Sequence, residues 1–239
     1  MGVSRETLEA LLERHGLPAG AGSQFERVLE ALAAEPDPHT SVSEPAEALR
    51  VHVADSLSGL EVDELRDASR IADVGAGAGF PGLALAIALS PSRVDLIEAT
   101  RRKGALIDRL IAAGHVANAR AVVARAEEWA AVAEPLGGRE AYEAVTARAV
   151  GPLAVLAEYA APLLRPGGVL VAWKGARDAG EERAAAVAAE RLGLEPGEPL
   201  PVAPFPGAEH RHLHVLRKSG PTPDGFPRRP GMAAKRPLG

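Results

Sequence analysis

Residues 73–82 read DVGAGAGFPG: four glycines and a proline in ten positions, directly behind the apolar start of RIADVG (70–75). Side chains are discarded there, at the point where a strand hands over to the helical pattern PGLALAIAL (81–89). Glycine in that setting lets the backbone approach a ligand closely. The question it sets is which ligand.

Working outward, short apolar runs alternate with amphipathic stretches. Strands are expected at RVDLIEA (93–99), ARAVVARA (119–126), YEAVTARAV (142–150), VLVAWKG (169–175) and HLHVLRK (212–218). Helices are expected at RRKGALIDRLIAAG (101–114), EEWAAVA (127–133), GPLAVLAEYAAPLLRPGG (151–168) and DAGEERAAAVAAERLG (178–193). Strands alternating with helices of this length predict βαβ units and an α/β fold with a mainly parallel, doubly wound, Rossmann-like sheet. Before it, residues 1–69 form a helical extension. Leu8, Leu11 and Leu12, then Phe25, Val28, Leu29 and Leu32, then Leu49, Val53 and Leu57 repeat at helical spacing. The last twenty residues, with five prolines and four glycines, are expected to be an extended tail without a helix. The expected division is therefore 1–69 extension, 70–218 core and 219–239 basic tail.

Composition narrows the function. With 239 residues and 46% apolar content, the chain buries a full core. Cysteine is absent, which excludes disulfides, Cys-based zinc sites and a thiol nucleophile. No window approaches eighteen uncharged apolar residues, and MGVSRETLEALLERHG is amphipathic, so a cytoplasmic protein without a membrane partner is expected. The net charge of −5 hides an asymmetry: Arg211 to Gly239 holds seven Lys/Arg against one acid, Asp224. A basic end on an acidic body fits a polyanion partner or a solubilising tail.

The ligand of a doubly wound sheet sits at the carboxyl ends of its strands. Gly75, Gly77 and Gly79 fit G-x-G-x-G, while Gly77, Gly79 and Gly82 fit G-x-G-x-x-G, so glycines alone leave a nicotinamide dinucleotide and S-adenosylmethionine both open. Asp73 suits an ammonium group better than a pyrophosphate. Pro81 stands where a dinucleotide fold wants an open amide. Glu98, at the tip of the second strand, suits ribose hydroxyls, and Ala126 with Glu127 reaches the adenine edge. These positions favour the methyl donor. Alternatively, Asp73 caps the following turn and Glu98 is an ordinary exposed acid. His210, His212 and His214 alternate on a strand, and without nearby acids they read as solvent-facing and not as a metal site. His52 with Asp55 and Ser56 reads as a cap or brace for the glycine loop, or alternatively as a contact to substrate.

HVADSL, DVGAGAGFPGLALAI, TARAVGPL, WKG and GPTPDGFPRRPGMAAKRPL together resemble the small-subunit ribosomal RNA guanine-N7 methyltransferases, the RsmG family, also called glucose-inhibited division protein B. The resemblance runs from about His52 to Leu238. It implies a class I methyltransferase sheet, S-adenosylmethionine as donor, and 7-methylguanine in the decoding-region loop of 16S ribosomal RNA as product. Position by position it implies Gly75 and Phe80 in the cofactor loop, Ala126 and Glu127 at the adenine side, and Arg148 completing the pocket. Arg102 with Lys103, and Lys174 with Gly175, match its basic pair and its K-G. The chain departs from the N-L-T and from the Arg before the His in that pattern, where PHTSV and RVHVADS stand.

The chemistry is consistent with what is absent. Guanine N7 carries a lone pair and no proton, so it needs positioning and no general base. An N-P-P-Y or D-P-P-Y sequence, used on exocyclic amines, is replaced by TARAVGP. Arg148 holds the cofactor's carboxylate or meets the guanine, as Arg commonly does; Lys174 is the second candidate for positioning the base. Arg102, Lys103, Lys174, Arg228, Arg229, Lys235 and Arg236 form the expected phosphate-binding rim for 16S RNA and the small ribosomal subunit. Phe226 is expected to anchor the tail. A monomer is expected, with no obligate protein partner. The competing readings are a methyltransferase of a small molecule or protein, an NAD(P)-dependent oxidoreductase, and an RNA-binding factor without catalysis.

Overall fold

The structure is a computed structural model that describes residues 5–239; residues 1–4 of the expected extension lie outside it. Helices α1 (Arg5–His15) and α2 (Ala21–Ala34) lead to α3 (Pro45–Ala48). A π-helical turn (Leu49–Ala54), α4 (Asp55–Leu57), a 3₁₀ turn (Ser58–Glu61) and α5 (Asp63–Arg66) follow. The core then runs β1 (Arg70–Val74), α6 (Gly82–Ala88), β2 (Arg93–Glu98), α7 (Arg101–Gly114), β3 (Ala119–Val123) and α8 (Ala126–Ala130). It continues with β4 (Tyr142–Arg148), α9 (Leu153–Ala160), β5 (Leu164–Lys174) and α10 (Ala179–Leu192). The chain ends with β6 (Leu194–Pro196), β7 (Leu200–Val202), β8 (Arg211–Lys218) and α11 (Met232–Lys235).

The strands join one sheet in the order β3-β2-β1-β4-β5-β8-β6, with β7 on β8. The first five pair in parallel, and β8 runs antiparallel to β5. Strand order reverses between β1 and β4, so the cleft opens where they part at their carboxyl ends.

Two apolar layers sandwich the sheet, and period-2 alternation in β5 shows how. Val169, Val171 and Trp173 face a layer shared with α2, α6, α7 and the extension, while Leu170 and Ala172 face α8, α9 and α10. With few aromatics available, the second layer is largely Ala and Leu. The extension therefore belongs to the same core as one sheet face: Phe25, Val28, Leu29, Leu49, Val53 and Leu57 are fully buried there.

The tail differs from expectation in one respect. It contains the single helical turn α11, whose Ala233 is buried, because two alanines follow Met232 where the prolines pause. Phe226 and Leu238 also pack on the Ala and Leu layer, so Phe226 does anchor the segment. The buried Lys218 adds a tie, donating to Ala161 O (2.5 Å) and Thr222 Oγ1 (2.9 Å). Burial pulls its ammonium pKa down to about 8.

Candidate active site

The glycine loop leaves β1 at Val74. Gly75, Gly77 and Gly79 take φ of +68°, +59° and +96°, a region that L side chains rarely adopt. A Cβ on Gly75 would also stand 2.6 Å from Val150. Amides of Gly75 and Ala76 donate to Ile97 O (2.9 and 3.2 Å), which pins the loop against the end of β2. The bare backbone is thus a fixed cradle.

Asp73 lies beneath this cradle, away from the cavity walls. It is 0% exposed, and its two oxygens accept from Gly82 N and Thr146 Oγ1, each at 2.9 Å. Desolvation raises its pKa to about 7 despite those donors. The turn-capping alternative describes its bonding: it ties the start of α6 to β4.

Two cavities meet at Gly75. The smaller, about 140 Å³, runs between Glu98 and the start of α8, with Ala126, Glu127, Val150 and Tyr159 on its walls. Glu98 points into the loop, accepting from Gly77 N (3.1 Å) and Thr100 N (2.8 Å), and each oxygen keeps a further lone pair. Glu127 accepts from Gly231 N at 2.7 Å, so the tail steadies this wall. The larger cavity, about 380 Å³, lies between the loop and the extension, walled by Gly75–Ala78, Phe80, Thr40, His52, Asp55 and Arg148, with Lys103 and Arg211 at its sides.

Arg148, at the end of β4, donates from Nη1 to Asp55 Oδ2 at 2.7 Å and lines this cavity. It therefore ties the extension to the sheet as well as facing the site. His52 stacks on Phe80 of the loop, ring centroids 5.1 Å apart and 14° from parallel. Ser56 Oγ bonds His52 O at 2.5 Å. The ring stack joins His52 to the glycine loop, and the Asp55–Arg148 pair joins the extension to the end of β4. Burial, then the nearby Arg148 charge, lowers the His52 pKa and favours neutral imidazole.

The expected basic rim divides. Lys174 Nζ is engaged by Glu181 Oε1 (2.5 Å) and Gly151 O (3.3 Å), and it does not line the larger cavity. Arg228 is engaged by the buried Glu158. Arg102, Arg229, Lys235 and Arg236 keep exposed side chains, and Lys103 stands at the cavity. His210 is exposed, whereas His214 is buried beside Glu182, contrary to the solvent-facing expectation, because α10 lies over that part of β8. Among the described residues no cluster of acids and histidines is arranged to hold a metal ion, and no helix is long and apolar enough to cross a membrane.

Sequence reasoning missed Arg211, His39 and Tyr159 as wall residues. The signal for Arg211 was available: β8 runs antiparallel to β5, which sets its first residues beside Lys174 at the cleft end. His39 sits in an irregular loop with no periodicity to locate it.

This sheet order, with a glycine cradle at the first strand's end and an acid at the second, defines the class I S-adenosylmethionine-dependent methyltransferase fold. Solved structures agree at the level of fold. An O-methyltransferase from Bacillus cereus in complex with SAH matches at TM-score 0.54 and 20% identity, covering 81% of this chain and 89% of that one. Aeropyrum pernix fibrillarin with natively bound S-adenosyl-L-methionine matches at TM-score 0.51 and 17% identity, covering 68% and 72%. The family model GidB, rRNA small subunit methyltransferase G, matches residues 29–198. Relatives named ribosomal RNA small subunit methyltransferase G are 44% identical in Rubrobacter xylanophilus (82% of this chain, 75% of that one) and 41% identical in Chloroflexus aggregans (90% of each). The chain belongs to the rRNA small subunit methyltransferase G family.

Proposed function

We propose that the protein transfers the methyl group of S-adenosylmethionine to N7 of a guanine in the decoding-region loop of 16S ribosomal RNA. The observation that carries this reading is the meeting of two cavities at Gly75, one walled like a nucleoside site and one open to an acceptor. S-adenosylmethionine, when bound, supplies a methyl group already activated for transfer. The chain's own residues fit it: the side-chain-free loop accommodates close approach, Glu98 keeps lone pairs for ribose hydroxyls, and Ala126 and Glu127 wall the adenine side. Phe80 and Arg148 line the larger cavity together with Gly75, which the two cavities share. Asp73 acts indirectly, by holding the loop.

Guanine N7 asks little more of the acceptor cavity than orientation and tolerance of a cationic product. Lys103, Arg102 and the exposed tail cations give an RNA backbone a path to it. In this reading the extension (1–69) walls the base cavity, the core (70–218) carries the cofactor, and the tail (219–239) braces the adenine side. The protein acts as a monomer on the small subunit in the cytoplasm. Light scattering at about twice 24.8 kDa would remove the monomer.

The test is transfer of labelled methyl groups to unmodified small subunits, with the nucleoside identified by mass. 7-Methylguanosine at one position supports the reading; another methylated nucleoside, or none, overturns it.

A further inference from the structure

The wall of the larger cavity opposite the glycine loop carries hydrogen-bond acceptors without donors to match. His52 Nε2 lies 2.9 Å from Val42 O and 3.1 Å from Thr40 Oγ1. A carbonyl oxygen only accepts, so Nε2 holds the ring proton and Nδ1 holds the lone pair. Among the described residues Nδ1 meets no donor. One turn on, Asp55 is 2% exposed, and only its Oδ2 accepts a hydrogen bond, from Arg148. Its Oδ1 is buried without a hydrogen-bond partner. The nearest cation, Arg211 Nε, stands at 3.5 Å on a side chain 40% exposed. A buried carboxylate oxygen without a hydrogen bond costs stability, and on a residue that lines a cavity it points to a ligand donor.

We infer that His52 Nδ1 and Asp55 Oδ1 read the Watson–Crick edge of the target base and make this site specific for guanine. The inference rests on the methyl acceptor being guanine N7, as proposed for this site. Guanine offers only donors at N1 and N2, while adenine places a lone pair at N1. Two fixed acceptors therefore pair with guanine and repel adenine. The N7 edge lies across the ring from N1 and N2, so a base held by the extension wall turns N7 toward the glycine loop. Arg211, loosely held and half exposed, moves off Oδ1 to a backbone phosphate as the base enters. Asp55 then also faces the positive charge that methylation leaves on the purine, a preorganised stabilisation.

The experiment compares kcat/KM on unmodified small subunits assembled with guanosine, inosine or adenosine at the methylated position. The wild-type protein is expected to prefer guanosine to inosine, which lacks the N2 amine, by about tenfold, the worth of one unmatched buried group. His52→Phe keeps the ring stacked on Phe80 and removes Nδ1. It should narrow the guanosine-to-adenosine ratio about tenfold while the dissociation constant for S-adenosylhomocysteine stays within about twofold. Asp55→Asn, which keeps an oxygen for Arg148, should shift the ratio in the same direction. A purely structural role would slow both substrates alike and leave the ratios unmoved, and that result overturns the inference. Equal rates on guanosine and inosine with wild-type protein overturn it as well, without any variant. If the wild-type product is not 7-methylguanosine, the functional reading falls and takes this inference with it; if the product is right and the ratios do not move, this inference alone falls.

Discussion

Arg228 grips Glu158 with two nitrogens, Nε at 2.6 Å and Nη2 at 2.5 Å, across 70 residues of chain. The same Nη2 also donates to Arg236 O at 2.8 Å. Arg228 is therefore a clasp that closes the tail on α9. Arg228→Ala would strand the carboxylate of Glu158, which is 3% exposed. A loss of about 3 kcal/mol is expected, or roughly 6–12 °C in Tm for a chain of this length. Calorimetry checks it, and an unchanged Tm refutes the clasp.

The exposed tail cations should behave differently. Replacing Arg229, Lys235 and Arg236 by alanine is expected to leave Tm within about 2 °C, as surface changes usually do. The slope of log affinity for small-subunit RNA against log salt should fall by about one for each phosphate no longer neutralised. Binding titrations between low and physiological salt measure this. A slope that stays put removes the tail from the RNA interface.

Asp73 sets a pH dependence. Its folded pKa, about 7, exceeds its ordinary value of 3.8. Its contribution is therefore whole below about pH 4 and is lost as pH rises through about 7. Asp73→Asn keeps an oxygen for Gly82 N and an amide for Thr146, and it does not titrate. The wild-type Tm minus the Asp73→Asn Tm should fall steadily between pH 4 and 7 and flatten above. A difference that grows with pH contradicts this assignment.

Gly75→Ala strains a backbone at φ +68° and drives a methyl group against Val150. The left-handed conformation alone costs about 1–2 kcal/mol. Affinity for S-adenosylhomocysteine, read by isothermal titration, should fall at least about tenfold because the cradle itself must shift. Unchanged affinity would detach the glycine loop from cofactor binding.

At the other end of the sheet, Tyr142 Oη accepts from Trp129 Nε1 (2.8 Å) and donates to Asp95 Oδ2 (2.6 Å). Arg120 completes the pair with Asp95 through two nitrogens. Tyr142→Phe should cost about 1–3 kcal/mol and leave kcat/KM for methyl transfer unchanged, since the network lies away from the cleft. A large kinetic effect would show that the two ends of the sheet are coupled.

The sheet was legible because strands buried on both faces read as apolar runs with sharp ends. The expected 70–75, 93–99 and 142–150 became Arg70–Val74, Arg93–Glu98 and Tyr142–Arg148. The helix expected over 151–168 stops at Ala160, and Leu164 already pairs with Tyr142, so glycines marked a strand and not a helix end. The three-residue strands β6 and β7 are too short for periodicity to reveal. Residues 46–57 keep Leu49, Val53 and Leu57 on a buried face, as spacing predicts, yet the middle is π-helical, a change of winding that no residue type announces. In the site, glycines and Glu98 were readable from their offsets. The engagement of Lys174 by Glu181 and of Arg228 by Glu158 was not, because a cation's partner is chosen by tertiary packing. Asp73 and Glu98 both end strands, and only the direction of each side chain separates a brace from a cavity wall.

Gly231 N meets Glu127 Oε1 across 104 residues. Translation therefore delivers the glycine cradle and the second-strand acid long before the amide that steadies the adenine-side wall. A nascent chain halted ahead of that amide would hold its sheet and lack the last strut of its cofactor site.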